Sequence, residues 1–308
     1  MDGLATGLAT CRIEPPLAAQ WPLWAAATAL LSARWVVGPL LQLQRAAGWT
    51  ERNWRGQPLP VSLGLGLPVA LALGIALASW RAQPWPAGLS GLLGVLCAVL
   101  FGLFDDGVRD RDHRGWRNHL RSLRAGTWTS GALKIVGIGA GALLTAAALC
   151  PRSGVAGALA LLVAGATIAA CANVVNLLDT RPGRALKVTL LIALLLAGQE
   201  AAAAAWLLPV AATALVFLPL DLGEQAMLGD SGANALGVAL GFGLVLAWPQ
   251  PWQQGVIVVV LAIVQAIADR RSLSAWIDSV GPLALLDRLG RPPRRGEGQP
   301  TRFENRKR

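Results

Sequence analysis

The sequence predicts an all-α, polytopic membrane protein of about nine transmembrane helices with a cytoplasm-facing cleft, and three observations carry that prediction. Hydrophobic residues make up 54% of the 308 residues and charged residues 14%, with a mean hydropathy of +0.51, a balance foreign to water-soluble domains. Apolar runs of ~17–24 residues recur between short polar pieces, matching the ~20 residues a helix needs to cross ~30 Å of hydrocarbon. The runs are built from Ala, Leu, Gly and Val without the alternation of a membrane β-barrel. Backbone groups in lipid must be bonded within their own segment, which makes helices the natural form.

In chain order the spans are expected at 21–43, 61–80, 87–104, 129–149, 155–175, 185–197, 201–220, 233–248 and 254–267. Residues 1–20 carry Arg12 and Glu14 and lack the basic start and apolar core of a cleaved signal, so they are expected to be an uncleaved extracytoplasmic segment. Arg34 lies inside the first span, where an arginine faces protein or reaches a headgroup by snorkelling. The polar loop 44–60 ends in NWRGQPLP, whose two prolines and glycine predict a rigid non-helical turn. A Pro-Trp-Pro piece at 84–86 separates the second and third spans, and Pro151 ends the fourth, which carries Lys134 near its start. The sixth span is short and expected to be half-buried. The transmembrane domain is thus 21–291, followed by a basic, proline-containing tail, 292–308, with the composition of disorder.

The net charge of +10 is a topology signal, and nucleic acid is not expected as a partner. Alternation of the spans puts loops 44–60, 105–128, 176–184, 221–232 and everything from 268 onward on one side. That side holds Arg45, Arg52, Arg55, six arginines from Arg109 to Arg124, Arg181, Arg184 and the basic tail; the other holds Arg12, Arg81 and Arg152. Positively charged loops stay in the cytoplasm beside anionic lipid, so the N-terminus is expected outside and the C-terminus inside. Cys11, Cys97, Cys150 and Cys171 show no metal-ligand spacing, and three of them fall in or beside apolar runs as small buried hydrophobes.

Every unusual polar cluster falls on the expected cytoplasmic side. Asp105 and Asp106 close an apolar run at its C-terminal end, where the helix dipole is already negative. Without a cation that placement is unfavourable by ~0.3–1 kcal/mol per charge, so something positive should sit against them. The plain alternative is a solvated pair neutralised by the arginines that follow. Asn173, Asn176 and Asp179 are spaced i, i+3, i+6 and would share a sector of ~120° on a helix. Such a stripe suits recognition of a uracil or sugar beside a metal; it equally suits interhelical hydrogen bonding with a cap. LGDSGAN, residues 228–234, sets Asp230 and Ser231 before an apolar helix, as an ordinary N-cap or as a phosphate and Mg²⁺ site. The four aspartates would supply the hard oxygen ligands that Mg²⁺ prefers. His113 and His119 have no ligand spacing and are expected to be surface residues, and the arginines around them to touch lipid headgroups.

In order, N-x-R-G-x-P-x-P (53–60), GLFDD, G-x-L-K (131–134), N-x-x-N-x-x-D (173–179) and G-D-S-G-A-N (229–234) resemble the polyprenyl-phosphate N-acetylhexosamine-1-phosphate transferases. The resemblance covers about residues 45–291. It implies an enzyme that transfers a sugar 1-phosphate from a UDP-sugar to polyprenyl phosphate with release of UMP, in the bacterial inner membrane, for envelope polysaccharide or peptidoglycan precursors. It implies Mg²⁺, with Mn²⁺ as a substitute, and leaves a homodimer open. Carried over by position, Asp230 and Asp179 are metal ligands, and Asp105, Asp106 and Asp179 are the catalytic carboxylates. Asn173, Asn176 and Asn53 are polar contacts to substrate, and Lys134 and Arg55 are the phosphate-binding cations. The chain departs from the family pattern at Pro182, where a second aspartate often stands, and in having no histidine after His119. Those departures leave the sugar open and keep a rival in view: a catalytically degenerate member acting as a scaffold or regulator of envelope assembly.

Overall fold

The computed structural model describes residues 21–81, 86–108, 121–150, 154–270 and 272–291. Expectations for residues 1–20, for His113, His119 and Arg109 to Arg117, and for the tail 292–308 lie outside the described residues. The chain forms α1 (Trp21–Ala46), then β1 (Thr50–Arg52) and β2 (Pro58–Pro60), then a 3-10 turn (Leu63–Leu65) that leads into α2 (Gly66–Arg81). There follow α3 (Pro86–Val108), α4 (Ser130–Ala147), α5 (Gly154–Leu178), α6 (Arg184–Ala197) and α7 (Ala201–Leu222). The rest comprises α8 (Gly229–Ala247), α9 (Pro251–Arg270), α10 (Leu273–Ser279) and α11 (Gly281–Arg288). The strands pair antiparallel, Thr50 opposite Pro60 and Arg52 opposite Pro58, so NWRGQPLP is the tip of a hairpin as its prolines and glycine require.

Among the described residues seven helices, α1, α3, α4, α5, α7, α8 and α9, are long and apolar enough to cross a membrane. The segments expected as the second and sixth spans form helices of 16 and 14 residues, short of a full crossing at 1.5 Å per residue. Large apolar side chains such as Leu31, Trp35, Leu144, Val155 and Leu195 point outward, as in a protein that sits in lipid. Arg34 lies on the exposed side of α1, in keeping with its snorkelling alternative. Cys150 and Cys171 are buried free thiols, while Cys97 is half-buried.

The bundle is wound around α8. Its apolar window is 94% buried, against 6% for α9, and helices that are apolar all round belong in interiors. α3, α5, α6 and α7 pack directly on α8, while α1 pairs with α2 and α7, and α4 and α9 lean on α5. Lipid gives no hydrophobic drive for helices to associate, so close backbone approach must supply the contact energy. A Cβ on Gly237 would lie 2.4 Å from Ala172 Cα of α5, and one on Gly102 of α3 would lie 2.5 Å from Ser231 Cα. Trp206 of α7 adds an indole hydrogen bond of 2.8 Å to Ala239 O and an edge contact to Phe242.

Several helices run past their expected ends, and three of the shifts take expected site residues with them. α3 continues to Val108 and carries Asp105 and Asp106; α5 continues to Leu178 and carries Asn176; α8 begins at Gly229 and carries Asp230. Hydropathy assigns these polar turns to loops, but tertiary partners satisfy Asp105, Asp106 and Asp230 and the backbone stays helical. A fourth departure is α10 and α11, in a region assigned to a loop and tail. Arg184 is buried and pairs bidentately with Asp287 of α11, Nε to Oδ1 at 2.7 Å and Nη2 to Oδ2 at 2.9 Å. Arg291 adds a contact of 2.5 Å to the same carboxylate. Burial works to raise the Asp287 carboxyl, but its bonds to Arg184 and the charges of Arg184 and Arg291 hold it below the usual range.

Gly237→Val should force α5 and α8 apart and lower Tm sharply, overpacking of this kind costing roughly 1–3 kcal/mol or more. Gly139→Ala, which meets nothing within 4 Å, should leave Tm unchanged or raised when both are melted in detergent. A carboxyl depressed in the folded state stabilises above its unfolded pKa and loses that contribution as pH falls through the folded value. The Tm gap between wild type and Asp287→Asn should therefore narrow as pH drops below about 4.

Candidate active site

The polar centre begins where the end of α3 meets the start of α8. Asp106 is buried, its Oδ1 accepting from Asp230 N at 2.9 Å and its Oδ2 from Ser231 N at 3.2 Å. The same Oδ2 accepts from Ser62 Oγ at 2.8 Å. A helix N-terminus leaves N–H groups unpaired and carries partial positive charge, so Asp106 caps α8 from another helix. The N-cap expected of Asp230 and Ser231 is not formed: both lie within the first turn, and Leu228 at the cap position offers no side-chain bond. Gly229, at φ +70°, makes room for this arrangement, since a Cβ there would lie 2.9 Å from Asp106 Oδ2 and from Ser62 N. Ser62 is itself held at φ 73°, a left-handed conformation that costs a non-glycine residue about 1–3 kcal/mol.

Asp105 turns the other way and receives the expected cation. Lys134 Nζ lies 2.5 Å from Asp105 Oδ2 and 2.8 Å from Asp230 Oδ2. One ammonium thus joins α3, α4 and α8. Asn234 fixes Asp230 further by donating from Nδ2 to its carbonyl at 2.7 Å.

On one side of this junction lies a cavity of about 360 Å³ whose lining includes Asp106, Asp179, Asp230, Arg181 and Trp54. Asp105 is not among its lining residues. Asp179 sits one residue past the end of α5, outside the helical register that the i, i+6 spacing assumes, and this swings it away from Asn173 and Asn176. Its carboxyl lies well above the usual range because it is buried and because Asp221, Asp230 and Asp106 add negative charge nearby.

Three lining carboxylates, Glu51, Asp221 and Glu224, are not among the sequence candidates. Asp221, at the end of α7, accepts from Gly183 N at 2.6 Å and so holds the turn that follows Asp179. Glu224 lies 3.1 Å from Arg55 Nε and accepts from Asn53 Nδ2 at 3.3 Å. An acid at the C-terminal end of an apolar run was the signal that singled out Asp105 and Asp106, and Asp221 carries the same signal. Asn53 Oδ1 accepts from Arg55 N and Gln57 N, both at 2.9 Å, which shapes the hairpin tip. Arg55, expected to face phosphate, is therefore ion-paired with Glu224 and stacked 4.7 Å from the Trp54 ring centroid. The Arg181 guanidinium lies 4.7 Å from the same centroid.

On the other side lies a cavity of about 510 Å³ between α4, α5, α8 and α9. It is lined by Ile135, Ile138, Ala169 and Ala172, with Lys134, Asn173, Asn176, Asn234 and Gln265 as its polar members. Asn173 Nδ2 donates across to Gln265 Oε1, and Gln265 Nε2 donates to Asp269 Oδ1 at 2.7 Å. Interhelical hydrogen bonding, the plain alternative for the stripe, thus describes Asn173.

The expected aspartates and Lys134 therefore gather at one end of the bundle: Asp106, Asp179 and Asp230 line the acidic cavity, Lys134 lines the apolar one, and Asp105, in neither lining, pairs with Lys134. Among the described residues no group of three His, Cys, Asp or Glu side chains stands in metal-holding geometry. The donors in the acidic cavity are nevertheless hard oxygens with excess negative charge, which matches a divalent cation held by one or two carboxylates with the rest of its shell from water and phosphate. Asp106→Ala would strip α8 of its cap and should lower stability by roughly 1.5–3 kcal/mol, read as a Tm drop that Asp105→Ala shows to a lesser degree. Comparison with models of protein families and with curated proteins finds no match to this chain.

Proposed function

We propose that the chain is a Mg²⁺-dependent phosphoglycosyl transferase. It would move a sugar 1-phosphate of the N-acetylhexosamine type from a UDP-sugar to polyprenyl phosphate, releasing UMP, at the cytoplasmic leaflet of a bacterial inner membrane. The observation that carries this reading is the pairing of an acidic cavity with a largely apolar one across the Lys134–Asp230 contact. Such a reaction joins a charged, water-borne donor to a lipid acceptor, and each needs its own compartment at one end of the membrane.

In this reading Asp179 and Asp230 hold the Mg²⁺, which when bound supplies charge neutralisation between two anionic phosphates. Asn53 and Arg55, locked to Glu224, give the acidic cavity a rigid wall on the hairpin side. The apolar cavity takes the start of the isoprenoid chain, and Lys134 at its polar end meets the lipid phosphate. A phosphate oxygen of the acceptor attacks the sugar-bearing phosphorus of the donor; the new P–O bond forms as the bond to UMP breaks. A phosphate with its second pKa at ~6 is already ionised at neutral pH, so Asp105 acts by orienting Lys134 more than by taking a proton. The basic segments 44–60 and 181–184 lie at the same end as both cavities, which supports the cytoplasmic assignment.

A degenerate, non-catalytic member is the second reading. It is favoured by Lys134, whose ammonium is already shared by Asp105 and Asp230, and by Pro182 where a second aspartate would stand. Purified protein supplied with undecaprenyl phosphate, Mg²⁺ and a panel of UDP-sugars separates the two. The transferase reading expects UMP release with at least one sugar, abolished by EDTA and reduced ~10²-fold or more in Asp179→Asn and Asp230→Ala. No release with any sugar, or full activity in Asp230→Ala, would favour the scaffold.

A further inference from the structure

We propose that the α10–α11 hairpin is a bilayer-seated clamp, pressed against the lipid interface by its outer face and holding the Asp179–Gly183 loop by its inner one. The proposal goes beyond the transferase reading and does not depend on it. α11 buries Ala284 and Asp287, one turn apart, and exposes Leu283, Leu285, Leu286 and Leu289; Trp276 of α10 is exposed as well. An eight-residue helix with three outward leucines, followed by a fourth at Leu289, is poorly suited to water, and its length fits the plane of an interface better than a crossing.

The occupant is set by where the hairpin starts. α10 begins three residues after Arg270, the last residue of α9, and α9 is the most outward-facing of the long apolar helices. The hairpin therefore leaves the bundle at the membrane boundary, and lipid is the apolar surface nearest to it. Arg270 and Arg288 are both exposed there, and Arg288 pairs only loosely with Asp278 at 3.7 Å, an arrangement suited to anionic headgroups.

The inner face is bonded to the loop and to the first turn of α6 that follows it at three levels. Arg184 joins Asp287 to Thr180 and Ser274, with Nη1 donating to both hydroxyls at 2.9 Å. Arg291 Nε donates to Pro182 O at 3.0 Å. Lys187 Nζ donates to the carbonyls of Leu286, Asp287 and Leu289 at 2.8, 2.7 and 3.1 Å, closing the C-terminal end of α11. Displacing the hairpin from the bilayer would loosen the loop that carries Asp179. The two sequence stretches linked here, 179–187 and 284–291, are distant in the chain, and the Arg184–Asp287 pair is what brings them together.

The test uses the full chain in nanodiscs of phosphatidylcholine and phosphatidylglycerol. Photoactivatable diazirine lipid should label peptides containing 283–289 in the wild type; labelling confined to α1–α9 would overturn the interface assignment. Hydrogen exchange of Leu285→Glu/Leu286→Glu should then be at least about tenfold faster in both 273–289 and 179–183 than in wild type, with 233–246 of α8 unchanged. Faster exchange in the hairpin alone, or in neither segment, would overturn the clamp. The lipid labelling needs no variant, so a variant that misfolds, seen as faster exchange in α8, is replaced by Leu286→Gln and judged by the same two segments.

Discussion

The rest of the structure depends on the cap that Asp106 places on α8. α8 is buried nearly along its whole length, and its first turn would otherwise present unpaired N–H groups to the interior of an apolar bundle. Asp106 supplies three acceptor contacts to Asp230 N, Ser231 N and Ser62 Oγ. In doing so it fixes α3, the hairpin connection and α8 in one register. The unfavourable position of a carboxylate at the C-terminal end of α3 is offset by the favourable one it takes at the N-terminal end of α8. The left-handed Ser62 and the glycine at 229 are the local adjustments that permit it.

From that junction the charges are divided rather than pooled. Asp105 and Asp230 share Lys134, Glu224 is matched by Arg55, and Asp221 is spent on the Gly183 amide. Asp179 has no such ion pair among the described residues, and desolvation together with the neighbouring carboxylates pushes its carboxyl upward. In the proposed transferase a cation arriving with substrate would relieve this crowding of carboxylates. The neighbouring cavity across Lys134 is mostly apolar, so the lysine stands between an acidic cavity and an apolar one. The hairpin of α10 and α11 extends the same logic outward by tying the Asp179 loop to the membrane boundary.

Much of this was legible in the chain because hydropathy and charge act over single helices. The apolar runs located the bundle, and the dipole argument at Asp105 and Asp106 correctly demanded positive partners. It could not say that one partner would be an ammonium and the other a helix N-terminus, since both come from elsewhere in the chain. The Asn173–Asn176–Asp179 stripe failed as a unit for a local reason: α5 stops at Leu178, so periodicity does not extend to Asp179. LGDSGAN looked self-capping because capping is normally local, and a cap supplied from α3 leaves no trace in that motif. α10, α11 and the Arg184–Asp287 pair were hidden by hydropathy, which assigns short, charge-bearing helices to loops. Asp221 and Glu224 were passed over as loop acids although Asp221 closes an apolar run just as Asp105 does.

The central claim is that the acidic cavity is built around a cation it receives together with a nucleotide. Calorimetric titration of the purified protein with UMP, with and without Mg²⁺, tests it most directly. The account predicts UMP binding that requires Mg²⁺ and is lost in Asp179→Asn. Binding that is equal without Mg²⁺ or untouched by that substitution, or no binding under either condition, would contradict it.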